Sequence, residues 1–119
     1  MSNNILRLLI NGVIVITMSF TSTALVAAEY KVPPTKTTHS SVPYISDKAM
    51  KKCVVLYNHA EWLKDELNTM NVDQYSQKSI DNYNNKVNRH TTMTQKFNRN
   101  CAGKQSYSAW KVAQELNNQ

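Results

Sequence analysis

The sequence predicts an all-α fold: a disulfide-stapled antiparallel helical hairpin followed by a short third helix. Three observations carry that expectation. Apolar residues recur at alternating steps of three and four over two long stretches, the signature of a helical seam. Only 2 Gly and 3 Pro occur in 119 residues, too few for the many turns of an all-β chain. The 2 cysteines fall one on each seam.

The first element is an export signal over residues 1–28. Arg7 and the α-amine supply positive charge, and Leu8 to Phe20 form a short apolar run. Small side chains at Val26 and Ala28 then favour cleavage between Ala28 and Glu29. An uncleaved membrane anchor is the rival reading, but it needs about 20 apolar residues. The apolar run is shorter than that, so any membrane association is expected only through this segment if it stays uncleaved. Export leaves about 91 residues with 13 Lys plus Arg against 8 Asp plus Glu. It also places both thiols where a disulfide persists. The expected location is the periplasm or the medium outside the cell.

Residues 29–45 hold all three prolines and a Thr/Ser cluster. Proline removes backbone donors and Thr/Ser hydroxyls compete for others, so a flexible spacer is expected. Residues 46–119 form the helical domain. Ser46 or Asp47 caps the first helix. Its seam reads Ala49, Cys53, Leu56, Ala60, Leu63, Leu67 and Met70, with Tyr57 and Trp62 at the flanks. Asn71 to Ser79 is polar, and Asp73, Ser76 and Ser79 each offer a cap. The second seam reads Ile80, Tyr83, Val87, His90, Thr94, Phe97 and Cys101. Gly103 suits a left-handed helix end. Ser106 then caps a third helix that presents Tyr107, Trp110, Ala113 and Leu116.

A Cys53–Cys101 bridge follows from two seam cysteines in an exported chain. It closes a long loop, worth on the order of 4 kcal/mol in the chain-entropy description. In an antiparallel hairpin this bridge sets Leu67 opposite Val87 and a turn near Gln77. A turn near Val72 is the alternative, and Cys101 would then fold back to reach Cys53.

The dipeptides Tyr57-Asn58, Tyr83-Asn84 and Phe97-Asn98 repeat an aromatic-asparagine pair. The aromatic is expected on the seam and the asparagine at its edge, bonding across helices. The strings Tyr83-Asn84-Asn85-Lys86-Val87 and Phe97-Asn98-Arg99-Asn100-Cys101 resemble Tyr-Asn-x-x-Val and aromatic-Asn-x-x-Cys motifs. These motifs occur in small exported bacterial helical proteins of uncharacterised function. The resemblance implies a disulfide-stapled helical module and carries no activity with it.

No motif points to catalysis. His39, His59 and His90 lack a histidine or carboxylate at helical spacing, which argues against metal and acid-base roles. Two thiols without a Cys-x-x-Cys pair fit neither a redox centre nor zinc. No phosphate-cradling glycine loop occurs. The chain is therefore expected to be no enzyme and to need no cofactor, with a small enzyme as a distant alternative.

Charge is more informative. Lys78, Asn82, Asn85, Arg89, Thr92, Lys96 and Arg99 form a polar stripe with four cations and no anion. An antiparallel hairpin brings Lys96 and Arg99 towards Lys48, Lys51 and Lys52, with Lys104 nearby, while Glu61, Asp65 and Glu66 mark the opposite end. The five cations Lys48, Lys51, Lys52, Lys96 and Arg99 are the candidate anion- or partner-binding residues. The expected function is a non-catalytic exported envelope module that binds an unidentified protein or an anionic surface. A periplasmic immunity or inhibitor protein is the second reading. Nucleic acid is not an expected partner, because the stripe lacks stacking aromatics.

Overall fold

The computed structural model describes residues 28–35 and 41–119. The expected export signal before Ala28, and His39, lie outside the described residues. Three helices follow one another with no strand among the described residues: α1 (Asp47–Thr69), α2 (Gln77–Asn100) and α3 (Ala109–Asn117). The all-α hairpin with a short third helix is the observed architecture.

Local chemistry sets each boundary. Ser46 Oγ accepts from the Ala49 N–H at 3.2 Å and starts α1. Ser76 Oγ accepts from the Ser79 N–H at 3.3 Å and starts α2. The other two cap candidates also act: Asp73 accepts from the Tyr75 N–H, and Ser79 Oγ accepts from the Asp73 N–H. The loop is thereby tied to the first turn of α2. Gly103, at φ 65°, takes the left-handed conformation just past α2.

Cys53 and Cys101 are bonded to each other. The Tyr57 and Phe97 rings pack 5.6 Å apart, four residues along one helix and four back along the other. Further along, Lys86 Nζ donates to Glu66 at 2.6 Å. These pairs run in opposite directions along one register, so α1 and α2 are antiparallel. The register set by the bridge and the early polar loop hold together. The loop is tied to the first turn of α2 through Ser79, and in the register of the bridge the start of α2 extends beyond the end of α1. Cys101 reaches Cys53 without folding back.

α1 is the central element, with α2 and α3 both packed on it. The core sits at the disulfide end: Met50, Cys53, Val54, Cys101, Val112 and Ala113 are buried there. The first seam therefore describes only one face of α1. A second face, Met50, Val54 and Asn58, is equally buried because α3 and the N-terminal segment cover it. α2 has no fully buried side chain. Its inward positions are half-buried, and Met93 faces inward where Thr94 was expected; Thr94 is exposed.

The third helix departs from expectation in phase. It starts at Ala109, with Ser108 rather than Ser106 at the position before its first turn. Its inward face becomes Ala109, Val112, Ala113 and Leu116, while Tyr107 and Trp110 are 88% and 67% exposed. The Ser108 hydroxyl does not cap the helix, because it donates to the Asp47 carboxylate. That bond, aided by the Lys111 charge, holds the Asp47 carboxyl below its ordinary range. A lowered folded value means that the link stabilises the fold above the unfolded carboxyl range. This stability fades as pH falls through the lower folded value. NMR titration of Asp47 should give a midpoint below the ordinary Asp value, about 3.9, with the Ser108 amide moving in step. A midpoint at or above that value would contradict the link, and Asp47→Asn should abolish the coupled movement.

The expected spacer is docked at both described ends. Gln105 donates its N–H to the Pro43 carbonyl at 3.0 Å, and the Ile45 N–H donates to the Gln105 carbonyl at 2.8 Å. At residues 30–31 the backbone is extended between α1 and α3. Asn58 Oδ1 accepts from the Lys31 N–H at 2.9 Å, and Asn58 Nδ2 donates to the Lys31 carbonyl at 2.8 Å. Asn117 does the same to Tyr30, at 2.7 and 3.0 Å. Pro33 is buried. Successive residues of an extended strand point their amides to opposite sides, so two asparagines on two helices can each satisfy one residue in full.

Candidate functional site

The basic residues are positioned by α1 and α2 beside the bridge. Lys51 and Lys52 stand one turn before Val55 and Leu56 on α1, and Lys96 stands one turn after Met93 on α2. Neighbours three or four apart share a helix face, so each cation is paired along its own wall with an apolar side chain. The two walls enclose a cleft of about 670 Å³ that includes Lys51, Lys52, Val55, Leu56, Met93 and Lys96. Cys53 and Cys101 contribute to its floor, and His59 and Asn100 to its margins. α3 and the docked N-terminal segment cover another face of α1, and among the described residues this side of the hairpin is open. The size is that of a small-ligand site, about 300–1,000 Å³.

The electrostatics are one-sided. Among the described residues, three ammonium groups line the cleft and no carboxylate does. The ion pairs among the described residues are Lys64–Glu61 at 3.3 Å and Lys86–Glu66 at 2.6 Å, neither in the cleft. An ammonium 4 Å from an anion contributes about 1 kcal/mol in water and about 4 kcal/mol at a protein-surface dielectric. Of the five expected cations, Lys51, Lys52 and Lys96 are brought together here. Lys48 and Arg99 are exposed but lie outside the lining. Lys104 donates to the Asn100 carbonyl at 2.8 Å, at the cleft margin. The polar stripe from Lys78 to Arg99 is exposed along its whole length.

A second, smaller cleft of about 310 Å³ lies on the other side of α1, lined by Lys31, Tyr57, Glu61, Trp62 and Asp65 among others. Ala28 and Glu29, the expected cleavage pair, also line it. His59 is within 3.4 Å of the Tyr30 hydroxyl, and the Tyr30 ring meets Trp62 edge-on at 5.0 Å. His59 thus helps seat the N-terminal segment. Among the described residues, no three His, Cys, Asp or Glu side chains gather as metal ligands would.

Two features were missed from sequence. Asn58 is buried with three hydrogen bonds, all to backbone: two to Lys31 and one to the Val54 carbonyl at 2.7 Å. It does not bond across the hairpin, and Asn84 and Asn98 are exposed. Tyr44 and Tyr107 stack at 4.2 Å while both remain exposed, which places a flat aromatic surface outside the core. The only sequence signal for Asn58 was the repeated dipeptide, which said nothing about its partner. In comparisons with known proteins, no family model, no curated protein and no solved structure matches this chain.

Proposed function

We propose that this protein is a non-catalytic exported module of the cell envelope that binds an anionic surface or partner through the cleft beside its disulfide. The observation that carries the reading is the lining of that cleft: Lys51, Lys52 and Lys96 around Val55, Leu56 and Met93, with no carboxylate among them. The intramolecular bridge supports export, because disulfides persist in oxidising compartments. So does the small-residue run before Glu29. The resemblance to small exported helical proteins points the same way.

A periplasmic immunity or inhibitor role is the second reading, and a separate surface favours it. Tyr44, Tyr107 and Trp110 are exposed aromatics, a residue type enriched at protein interfaces.

One experiment tests the first reading. The full chain and its Lys51→Gln/Lys52→Gln/Lys96→Gln variant are produced in a bacterial host, and envelope and medium fractions are examined by intact mass. The exported form should begin at or within two residues of Glu29. Wild-type protein should associate with anionic envelope material at low salt and dissociate as salt screens beyond about 10 Å at 0.1 M. The variant should lose most of that association with its folding stability nearly unchanged, since Lys52 and Lys96 are exposed and Lys51 half-buried, and surface charges contribute little to folding. Retention of Met1 would sink the processed form. Equal association of the variant at low salt would remove the cleft from the function and turn attention to Tyr107 and Trp110.

A further inference from the structure

The cleft holds more than charge. A site for a bare, hydrated anion needs cations and hydrogen-bond donors but has no use for an apolar floor. Here Val55, Leu56, Met93 and the disulfide line the cleft together with the lysines. Leu56, Val55 and Met93 are only half-buried, so this apolar surface faces water in the absence of a ligand. The α1 wall runs from Ala49 to His59, about 15 Å at the helical rise per residue. The opening is thus a trough with an oily base and ammonium groups on both walls. Lysine stems are themselves apolar and can lie along a hydrocarbon while their heads reach outward.

Resting on the anion-binding reading above, the geometry points to a specific ligand class: a single-chain anionic amphiphile, of which a free fatty acid is the simplest member. The acyl chain lies along Val55, Leu56 and Met93, and the carboxylate is held by Lys51, Lys52 or Lys96. Charge complementarity selects the head, because no carboxylate lines the cleft to repel it. The floor selects the tail. Among the described residues no Phe, Tyr or Trp lines the cleft as a stacking platform for a nucleobase, and the one imidazole there, His59, also lies within 3.4 Å of the Tyr30 hydroxyl.

The test is calorimetric titration of the full-length processed protein with dodecanoate below its micelle-forming concentration. Octanoate, dodecyltrimethylammonium, inorganic phosphate, a poly-glutamate peptide and vesicles containing anionic phospholipid are titrated in parallel. Dodecanoate should bind one to one and shift the Met93 methyl resonance. Octanoate, four methylenes shorter, should bind on the order of tenfold more weakly for a half-covered chain. Dodecyltrimethylammonium and phosphate should bind at least tenfold more weakly than dodecanoate. Lys52→Gln/Lys96→Gln, a change at two exposed positions, should weaken dodecanoate but not alter the melting temperature appreciably.

Equal affinity for octanoate and dodecanoate would overturn the proposal, because the floor would then contribute nothing. Equal affinity for the cationic amphiphile would overturn it too, as would resonance shifts centred on Tyr44, Tyr107 and Trp110. Salt-sensitive vesicle or poly-glutamate binding without dodecanoate binding would reject the amphiphile while leaving the anionic-partner reading intact. Binding of none of these anions would reject both.

Discussion

Cys53→Ala is expected to lower stability by about 2–5 kcal/mol through loss of the disulfide. The bridge spans 48 residues, and constraining so long a loop removes much entropy from the unfolded chain. The need for it is visible in α2, which contains no fully buried side chain. Half-buried Tyr83, Val87, Met93 and Phe97 provide only part of the burial of a core residue, which is about 1.5–3 kcal/mol each when complete. The bridge therefore fastens α2 where packing alone is thin. Both sulfurs also lie within the buried cluster with Met50, Val54 and Val112, so the substitution disturbs packing as well. For a domain of this size, each kcal/mol shifts the melting temperature by about 4–8 °C. Urea and thermal unfolding of wild type, Cys53→Ala and Cys53→Ala/Cys101→Ala will measure the effect. A loss under 1 kcal/mol in both variants would show that the α1–α2 interface is self-sufficient.

Asn58→Ala should follow, at about 2–3 kcal/mol. The Asn58 side chain is 3% exposed and makes three hydrogen bonds. Each is worth about 0.5–1.5 kcal/mol net, and a buried group left unpaired costs more. Truncation strands the Lys31 N–H and carbonyl together and leaves a small void beside Val54. Hydrogen exchange at the Lys31 amide should accelerate strongly, since its protection comes from Asn58 alone. Asn117→Ala should accelerate Tyr30 in the same way at a smaller global cost, because that clamp is exposed. If Asn58→Ala unfolds at the wild-type urea midpoint, the N-terminal segment is not integral to the domain.

Several elements were legible from residues alone because their causes are local. Alternating steps of three and four declared both long helices, and Ser46 and Ser76 are caps by virtue of their hydroxyls. Gly103 marked the end of α2 through its freedom to take φ 65°. Cysteines on facing seams declared the bridge. Other expectations failed where the cause lies elsewhere in the chain. The phase of α3 turned on whether Ser106 or Ser108 precedes its first turn, and Ser108 was drawn to Asp47, sixty-one residues away. The segment around Tyr30 looked like a spacer because proline and threonine discourage helix. They do not prevent an extended backbone from being bound.

What the sequence by itself determined is the one-dimensional pattern: helix positions, the cysteine pairing and the placement of cations at the start of α1 and the end of α2. Periodicity, capping and covalent chemistry act over a few residues or through one bond. Only the tertiary structure decided which faces of α1 are covered. α3 and the docked N-terminal segment bury Met50, Val54 and Asn58, and the opposite side is left as the lysine-lined cleft. That choice rests on backbone donors and acceptors of residues 30–31 finding two asparagine amides on two different helices. Such pairing depends on distances fixed in space by the packing of α3 on α1, and no spacing along the chain encodes them.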